Sequence, residues 1–385
     1  MYRIVKEGKF NIELETPSFP DRFKRLFLKG VKVVYVKNEF DNSTFRYRCY
    51  NVVQALENDT DYIVTYFLPS ELEKVSEHLD SIDIIILQRT LWDVDIENFT
   101  YLARENNIPI YFDVDDLIYH PRYIPLYLNN LGILVQNRNS YIDYFYYASS
   151  YYVMATQCDG YIVTNHYLKD IVKEDFKKPV EIIPNFLNSE QEKHSKLITK
   201  TRKRVDEKFI IGYFSGSPSH KYDLDIVVDS IALLMERYED IYFKIVGFIE
   251  IPAKLKRFGS RIIQVPFVSY EELQYEIGEV DLNIIPLQQN KFNNCKSELK
   301  YFEAGIVKVP SCCSPTYIYK KIISNCENGF LCRDGEWFSI IEKVYLGKYN
   351  LKEITDKAYE FSKSQYGVKN QKDLIKKVYS KILNS

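Results

Sequence analysis

The sequence predicts an α/β protein of two domains, each built around a parallel sheet. With 385 residues, the chain is too long for one ordinary domain and suits two of roughly 150–200 residues each. Short apolar runs alternate with segments of helical length, which is the pattern of βαβ units. The polar stretch 188–208, which has no apolar stripe, interrupts that alternation near the middle of the chain and indicates a linker.

The first half of the chain supplies one set of βαβ units. Residues 1–29 lack clear periodicity and are predicted to form a strand-and-helix extension. The apolar runs predicted as strands are 31–36, 63–67, 82–87, 110–112, 160–164 and 180–183. The segments predicted as helices are 47–56, 69–79 and 96–106. We therefore place a first domain at residues 1–190 and the linker at 191–208.

The second half opens a second set of βαβ units. The runs predicted as strands are 209–213, 242–246, 262–265 and 281–286, with a helix at 224–238 after the first of them. These elements define a second domain at residues 209–350. The last stretch, 351–385, is predicted to form one or two lysine-rich helices.

The composition narrows the class of protein. A hydrophobic content of 46% with 27% charged residues is typical of a soluble globular chain. No run approaches the ~18 apolar residues of a membrane span, and the start, MYRIVKEGKF, does not have the pattern of a signal peptide. Seven cysteines without framework spacing indicate reduced thiols in a cytosolic protein. The net charge of −2 gives no reason to expect nucleic acid as a partner.

The segment 294–305 is the strongest candidate for a binding site. It follows a predicted strand and a polar loop, and Ser297 suits the N-cap of a helix that begins there. Spacings of four and three place Lys296, Lys300 and Glu303 along one side of that helix. The positive end of a helix together with lysines favours a bound phosphate, and Glu303 could accept hydrogen bonds from a ribose. On spacing alone, a solvated ladder of charges is the alternative.

The residues around this segment resemble a known family of enzymes. The run KSELKYFEAGIVKVP begins at Lys296, and Ser314 and an E-N-G-F turn at 327–330 follow it. Together they resemble the donor-site helix of retaining GT-B glycosyltransferases, and more narrowly glycosyltransferase family 4 of the bacterial polysaccharide type. The resemblance implies two Rossmann-like domains whose parallel sheets face each other across a cleft, with Glu303 on the ribose of a nucleotide-sugar. It also implies that helices within 351–385 return to the first domain.

One position departs from the family pattern. The better-known pattern carries an earlier glutamate that usually contacts the donor sugar, and here Cys295 occupies that position. The resemblance therefore does not assign the residue that recognises the sugar.

The loop NSTFRYR, residues 42–48, follows the first predicted strand. Open α/β sheets bind ligands at this end of their strands. Arg46 and Arg48 would lie near a helix start, where surface charge is the alternative role. The resembled enzymes often carry R-Y-R here facing the cleft, so we assign both arginines to the cleft on the acceptor side.

A cluster of aspartates, Asp113, Asp115 and Asp116, follows the strand predicted at 110–112. Clustered carboxylates could bind Mg²⁺ or act as a base, and capping a helix or holding the loop is an equally good interpretation. A D-x-D is also the metal motif of the GT-A fold, but the two-domain pattern does not suit that fold, so we expect no metal site. We assign Asp113 to the cleft and Asp116 to catalysis, with His120 as a candidate acceptor-side base.

The turn FSGSPSHK, residues 214–221, follows the first strand of the second domain. Small residues allow a backbone to come close to phosphate, and a helix is predicted to begin near Asp223. A plain strand-to-helix turn is the alternative. The donor-binding residues that the resemblance implies are Gly216, Ser217, His220, Lys221, Ser297, Glu303 and Val265, the last beside the nucleobase.

The resemblance implies a glycosyltransferase that moves a sugar from a nucleotide-diphosphate-sugar donor to a glycan or lipid-linked acceptor, with retention and without a metal or other cofactor. Lys296, Lys300 and Lys221 would neutralise the leaving diphosphate. A non-hydrolysing nucleotide-sugar epimerase of the same fold and a catalytically degenerate partner subunit are the alternatives. We expect a cytoplasmic protein, with peripheral attachment to the inner face of the membrane left open.

Overall fold

The computed structural model describes residues 1–7, 10–11, 13–40, 43–133, 137–216 and 221–385, without the side chain of Lys221. Two six-stranded parallel sheets dominate these ranges, and helices surround each sheet. The predicted class, α/β with two parallel-sheet domains, is confirmed.

The first domain follows a short strand, β1 (Tyr2–Arg3), that stands apart from its sheet. The strands of the sheet are β2 (Val31–Val36), β3 (Tyr62–Phe67), β4 (Ile84–Gln88), β5 (Ile110–Asp113), β6 (Gly160–Val163) and β7 (Val180–Ile182), in the order β3-β2-β4-β5-β6-β7. The helices are α1 (Phe19–Lys24), α2 (Asn51–Ala55), α3 (Leu72–Ser76), α4 (Val94–Glu105), α5 (Ile124–Leu131), α6 (Arg138–Gln157) and α7 (His166–Phe176). A π-helical turn, Arg46–Tyr50, leads directly into α2.

The second domain follows a helix, α8 (Ser189–Thr201), and a short strand, β8 (Lys203–Arg204). Its strands are β9 (Phe209–Ser215), β10 (Ile241–Gly247), β11 (Ile262–Val265), β12 (Leu282–Ile285), β13 (Ser311–Cys313) and β14 (Phe330–Leu331), in the order β11-β10-β9-β12-β13-β14. The helices are α9 (Lys221–Arg237), α10 (Ala253–Lys256), α11 (Tyr270–Gly278), α12 (Lys291–Asn294), α13 (Leu299–Gly305), α14 (Tyr317–Ile322), α15 (Trp337–Tyr345), α16 (Leu351–Tyr366) and α17 (Val368–Leu383). None of the helices in the described ranges is both long enough and apolar enough to cross a membrane.

Continuous apolar runs form the strands because both faces of each sheet are covered. In β2, Val33 and Tyr35 pack into one hydrophobic cluster, whereas Val34 and Val36 pack into another. Successive side chains of a strand point to opposite faces, so a strand with both faces buried has no polar alternation. The run 31–36 was recognisable as a strand for this reason.

The segment predicted as a linker is regular and packed. Asn188 and Gln191 form a capping box at the start of α8, and Ile198 is buried where α8 packs against α11. Strand β8 then pairs antiparallel with β1, so Tyr2 and Arg3 lie beside the junction. The stretch 191–208 is polar because one side of α8 faces solvent.

The last two helices contact both domains. Helix α16 packs against α13 of the second domain, and α17 packs against α2 and β4 of the first. Two tyrosine hydroxyls, those of Tyr35 and Tyr379, are hydrogen-bonded at 2.9 Å where α17 covers the first sheet. Helix α17 therefore lies on the first domain after α16 has packed on the second.

Candidate active site between the two domains

Each sheet has a point where the strand order reverses, between β2 and β4 in the first and between β9 and β12 in the second. Ligands of open α/β sheets bind outside the carboxyl ends of the strands at such points. The loop 286–298, which leaves β12 at its carboxyl end, contacts the first domain through several hydrogen bonds. We call this contact between residues 286–298 and the first domain the seam, and the candidate site lies along it.

The helix predicted near Ser297 is present, but Ser297 is not its N-cap, and that part of the prediction is wrong. Helix α13 starts at Leu299 with Glu298 as its N-cap, and α12 forms a separate turn before it. The hydroxyl of Ser297 instead accepts a hydrogen bond, 3.0 Å long, from Nδ2 of Asn185 in the first domain. Lys296 is consequently a loop residue, and only Lys300 and Glu303 share the helix.

Lys300 does not have the surroundings of a solvated surface lysine. It is half-buried, and its ammonium lies 5.3 Å from the ring centroid of Tyr213. Burial lowers the pKa of Lys300 to about 8, and the nearby charge of Lys296 acts in the same direction, whereas Asp223 and Glu303 oppose the shift. A bound anion would favour the charged form of this side chain and raise its pKa.

Lys296 lies opposite the aspartates of the first domain. Its Nζ is 3.7 Å from Oδ2 of Asp116 and 4.8 Å from the ring centroid of Phe292. Oδ1 of Asp116 is buried and has no hydrogen-bond partner among the described residues. The second-domain lysine and the first-domain carboxylate thus meet across the seam.

Arg89 holds the same aspartates from the end of β4. Its Nε is 2.5 Å from Oδ1 of Asp115, although the N–H direction there does not satisfy hydrogen-bond geometry, and its Nη2 is 3.6 Å from Oδ2 of Asp116. Arg89 has φ +43°, in the left-handed region that non-glycine residues seldom adopt. Such backbone strain is characteristic of residues at functional sites.

Glu303 is buried and faces the first domain. Its Oε1 accepts hydrogen bonds from the hydroxyl of Tyr47 and, at 3.5 Å, from Nε2 of Gln191. Burial raises the pKa of Glu303, and the nearby guanidinium of Arg46 opposes that rise. Arg46 in turn donates to Oε1 of Gln191 at 3.3 Å and lies over the ring of Tyr270. Contact of Glu303 with a ribose stays a prediction.

Arg48 and Asp113 lie inside the first domain. Arg48 is 1% exposed and Asp113 is fully buried, and the guanidinium binds both carboxylate oxygens, at 2.9 and 2.6 Å. Both were predicted to line the cleft on the acceptor side, and exposure to a cleft does not fit this burial. Arg48 also donates to Oδ1 of Asn185, whose amide reaches Ser297, so the pair supports the seam from within.

Cys295 fastens the same loop to the first domain. Its thiol is buried among side chains of the first domain, where burial raises the pKa, and it donates to the carbonyl of Lys291. Nδ2 of Asn165 donates to the carbonyls of Cys295 and Lys296, at 2.8 and 3.2 Å. Cys295, which stands where the resembled enzymes carry a glutamate, therefore anchors the loop that carries Lys296.

His120 caps a 3₁₀ turn in the first domain. Its Nδ1 accepts a hydrogen bond from the backbone N–H of Arg122 at 3.1 Å, and its ring packs 4.4 Å from that of Tyr152. Burial lowers the pKa of His120, and the positive charge of Arg122 lowers it further. The observed partners of His120 all belong to the first domain, and its role as a base stays a prediction.

The carboxyl ends of β9, β10 and β11 form the other wall of the site. Gly216 is exposed after β9, and Val265 ends β11. Ser217 and His220 lie outside the described residues, as does the side chain of Lys221. Gly247 ends β10 with φ +107°, and a Cβ there would lie 1.9 Å from the carbonyl oxygen of Ser215, so only glycine fits.

Two phenylalanines stack beside this wall. The rings of Phe248 and Phe267 lie 4.9 Å apart at an angle of 20°, and Phe248 is 54% exposed. The sequence analysis did not single out Phe248. Its position directly after a glycine that ends a strand was the available signal.

Sequence reasoning also missed Arg89, Asn165 and Glu298. Arg89 directly follows β4 at the point where the strand order reverses, which a predicted sheet order would have revealed. The contacts of Asn165 and Glu298 join residues far apart in the chain, and no local pattern announces them.

No group of three or more His, Cys, Asp or Glu side chains suited to a metal ion occurs in the described part of the chain. Of the predicted carboxylates, Asp113 is bound by Arg48, and Asp115 lies at ion-pair distance from Arg89.

No family model matches the sequence, and no curated protein matches it at a significant level. Similar solved structures include a glycosyltransferase from Rickettsia africae, 14% identical with a TM-score of 0.63, covering 92% of this chain and 99% of that one. HepE from Anabaena, in complex with UDP and glucose, is 14% identical with a TM-score of 0.60, covering 91% and 100%. Sucrose-phosphate synthase from Thermosynechococcus elongatus is 11% identical with a TM-score of 0.58, covering 92% and 99%. The chain has the GT-B fold.

Proposed function

We propose that this protein is a glycosyltransferase that moves a sugar from a nucleoside-diphosphate-sugar to a glycan or lipid-linked acceptor, with retention and without a divalent metal. The observation that carries the proposal is the position of Lys296 and Lys300 beside the seam, between the points where the strand order of the two sheets reverses. Burial lowers the pKa of Lys300. Negative charge develops on the diphosphate as the glycosidic bond breaks, so positive side chains placed there stabilise the transition state.

The donor would lie along the carboxyl end of the second sheet. Lys300 would bind the diphosphate, Glu303 the ribose, and the stacked rings of Phe248 and Phe267 would hold the base beside Val265. An exposed aromatic face suits a nucleobase, because two aromatic rings stack without hydrogen bonds between them. HepE, which has the same fold, was solved with UDP, and this makes UDP the first nucleotide to test.

The acceptor would approach from the first domain. Oδ1 of Asp116 has no hydrogen-bond partner among the described residues, and Arg89 lies at ion-pair distance from the other oxygen of that carboxylate. Hydroxyl groups of a sugar would donate to such an oxygen. Asp116 would therefore orient the acceptor or receive its proton, beside the lysine that holds the leaving group.

Mass spectrometry of a mixture with UDP-sugars separates this function from its alternatives. Transfer or hydrolysis of the donor supports the proposal, and turnover that survives EDTA supports its metal independence. An isomerised sugar nucleotide formed without an acceptor would identify an epimerase. Neither turnover nor a nucleotide-dependent rise in melting temperature would favour a degenerate partner subunit, since a ligand that binds only the folded state raises stability by mass action.

Lys296→Ala provides the residue-level test of the same proposal. A lysine that acts on the leaving group lowers kcat when it is removed, whereas one that only binds the donor raises KM. We expect kcat to fall, and we expect the exposed Lys320→Ala to behave as wild type. Wild-type turnover by Lys296→Ala would place the phosphate site elsewhere.

A further inference from the structure

A buried acid at the start of α13 contacts the end of α16. Glu298 is 4% exposed, and its Oε1 accepts a hydrogen bond from the hydroxyl of Tyr366, 2.5 Å away. Its Oε2 is buried without a hydrogen-bond partner in the described part of the chain. Tyr366 ends α16, at the point where the chain leaves the second domain.

Tyr366 contacts the donor helix in a second way and the domain junction in a third. Its ring stacks on that of Phe302, with centroids 4.6 Å apart, and Phe302 precedes Glu303. Its carbonyl accepts a hydrogen bond of 2.9 Å from the backbone N–H of Leu187. One residue thus joins α13, α16 and the segment that connects the two domains.

The two helices approach closely enough to make this contact exacting. A Cβ at Gly305 would lie 2.3 Å from Oγ of Ser362 and 3.0 Å from the carbonyl oxygen of Ala358, both on α16. The helix that carries Lys300 and Glu303 therefore touches α16 along its length, from Glu298 to Gly305.

We propose that Tyr366 and Glu298 form a positioning pair, in which the hydrogen bond between them fixes α13, and with it Lys300 and Glu303, relative to the interdomain crossing. The role of α13 as the donor helix rests on the proposed function, whereas the positioning itself does not. Glu298 and Tyr366 act through Lys300 and Glu303 and not by contact with the sugar or the diphosphate.

The pKa of the Glu298 carboxyl lies near neutrality, so the pair can be studied by changing the pH. Burial raises the pKa of Glu298 to about 7, and the hydrogen bond from Tyr366 limits that rise. The titratable side chains that interact electrostatically with it include Tyr366 on α16 and Tyr319 on α14. The ionised carboxylate accepts the stronger hydrogen bond, so α13 is held best above pH 7.

Hydrogen–deuterium exchange of the full ligand-free chain tests the positioning without any substrate. Tyr366→Phe keeps the stacked ring but removes the hydroxyl, and Tyr359→Phe on the same helix is the matched control. We expect exchange of the α13 amides to quicken on the order of tenfold at pH 8 in Tyr366→Phe, the effect of one lost charge-assisted hydrogen bond, and not in the control. Glu298→Gln provides the same comparison if Tyr366→Phe does not fold.

Titration of UDP binding then connects the pair to the site. The ratio of the UDP dissociation constants of Glu298→Gln and wild type should change through pH 7, and in Tyr366→Phe the transition should move to higher pH. Lys300 and Glu303 are present in every variant, so a transition that Glu298→Gln lacks and Tyr366→Phe shifts belongs to Glu298. Wild-type exchange of α13 in both variants would overturn the proposal. Failure of wild type to bind UDP would instead count against the proposed function, while the exchange result would still decide the pair.

Discussion

At the scale of single residues, burial changes the chemistry of the charged groups at the seam. A lysine and a glutamate one turn apart on an exposed helix would add a few tenths of a kcal/mol of stability and nothing more. Here Lys300 is half-buried with a lowered pKa, and Glu303 is buried with a raised one. Both shifts come mainly from the loss of water, so each group would gain from a ligand that supplies the opposite charge or a hydrogen bond.

Lys300→Met should change how nucleotide binding depends on pH. A bound diphosphate favours the charged ammonium, so the free protein takes up a proton on binding above pH 8 and its affinity for UDP falls as the pH rises through about 8. The methionine variant should bind more weakly and lose this dependence. Calorimetry in buffers of different ionisation enthalpy measures the proton uptake, with the exposed Lys320→Met as the control. An unchanged pH profile in Lys300→Met would place the titrating group elsewhere.

Glu303→Ala should weaken UDP binding by roughly 1–3 kcal/mol, the effect of losing charge-assisted hydrogen bonds to a ribose. Because Glu303 also accepts a hydrogen bond from Tyr47, Tyr47→Phe separates the two roles. The phenylalanine variant keeps the carboxylate and should lose much less affinity. Equal losses of affinity in the two variants would show that Glu303 acts by packing and not by contact with the nucleotide.

At the scale of elements, local patterns predicted the strands well but assigned the wrong N-cap to α13. The run 31–36 is a strand whichever partners it has, because its residues are apolar on both faces. Ser297 suits an N-cap by type, yet a hydrogen bond from Asn185, more than a hundred residues earlier, takes its hydroxyl. The capping box at Asn188 was visible in the sequence, but the polar surface of α8 concealed the helix. A long-range hydrogen bond overrode the local N-cap signal at Ser297. In α8, packing against α11 supplied the stability that its polar sequence does not suggest.

The loop after β5 illustrates the same limit for function. Asp113, Asp115 and Asp116 have the sequence of a metal or base motif, and their type alone leaves those roles open. The structure separates them: Asp113 is paired with Arg48 inside the domain, Asp115 lies beside Arg89, and Asp116 faces Lys296 of the second domain. Neighbouring carboxylates thus have different roles because β5 ends between them.

Asp113→Asn should therefore destabilise the first domain without removing a contact to the substrate. Removing one partner of a buried ion pair costs about 3–5 kcal/mol, because the guanidinium of Arg48 would remain charged without a counterion. Chemical denaturation measures this loss, with the exposed Asp170→Asn as the control. If Asp113→Asn kept wild-type stability and lost only turnover, Asp113 would belong to the chemistry after all.

At the scale of the whole molecule, two crossings between the domains, one after β7 and one after α16, are each fastened by contacts among the described residues. The first crossing passes through the segment of Asn185 and Asn188, and the second through Tyr366 and Gly367. The two crossings contact each other where Leu187 donates to Tyr366. A GT-B architecture could be expected from motifs in the second half of the sequence, but this contact could not, because it depends on how the finished domains meet.

The final helix should stabilise the first domain through its lysines. Burial raises the pKa of Asp59, but backbone N–H groups of Asp61 and Tyr62 and the ammonium groups of Lys372 and Lys376 outweigh it and lower the pKa below the usual 3.8. A carboxyl with a lowered folded-state pKa contributes stability that is present above 3.8 and is lost as the pH falls below that value.

Replacing Lys372 and Lys376 of α17 by methionine should therefore lower the free energy of unfolding at pH 7 by roughly 1 kcal/mol, since their pairs with Asp59 are partly exposed. The deficit should shrink as the pH falls below 3.8, because Asp59 then loses in the wild type what the variant already lacks. The matched control replaces Lys369 and Lys377, which lie exposed on the same helix. Thermal unfolding followed from pH 7 to pH 3 makes the comparison. A deficit that stays constant with pH would mean that the methylene chains of Lys372 and Lys376, and not their charges, hold the helix to the first domain.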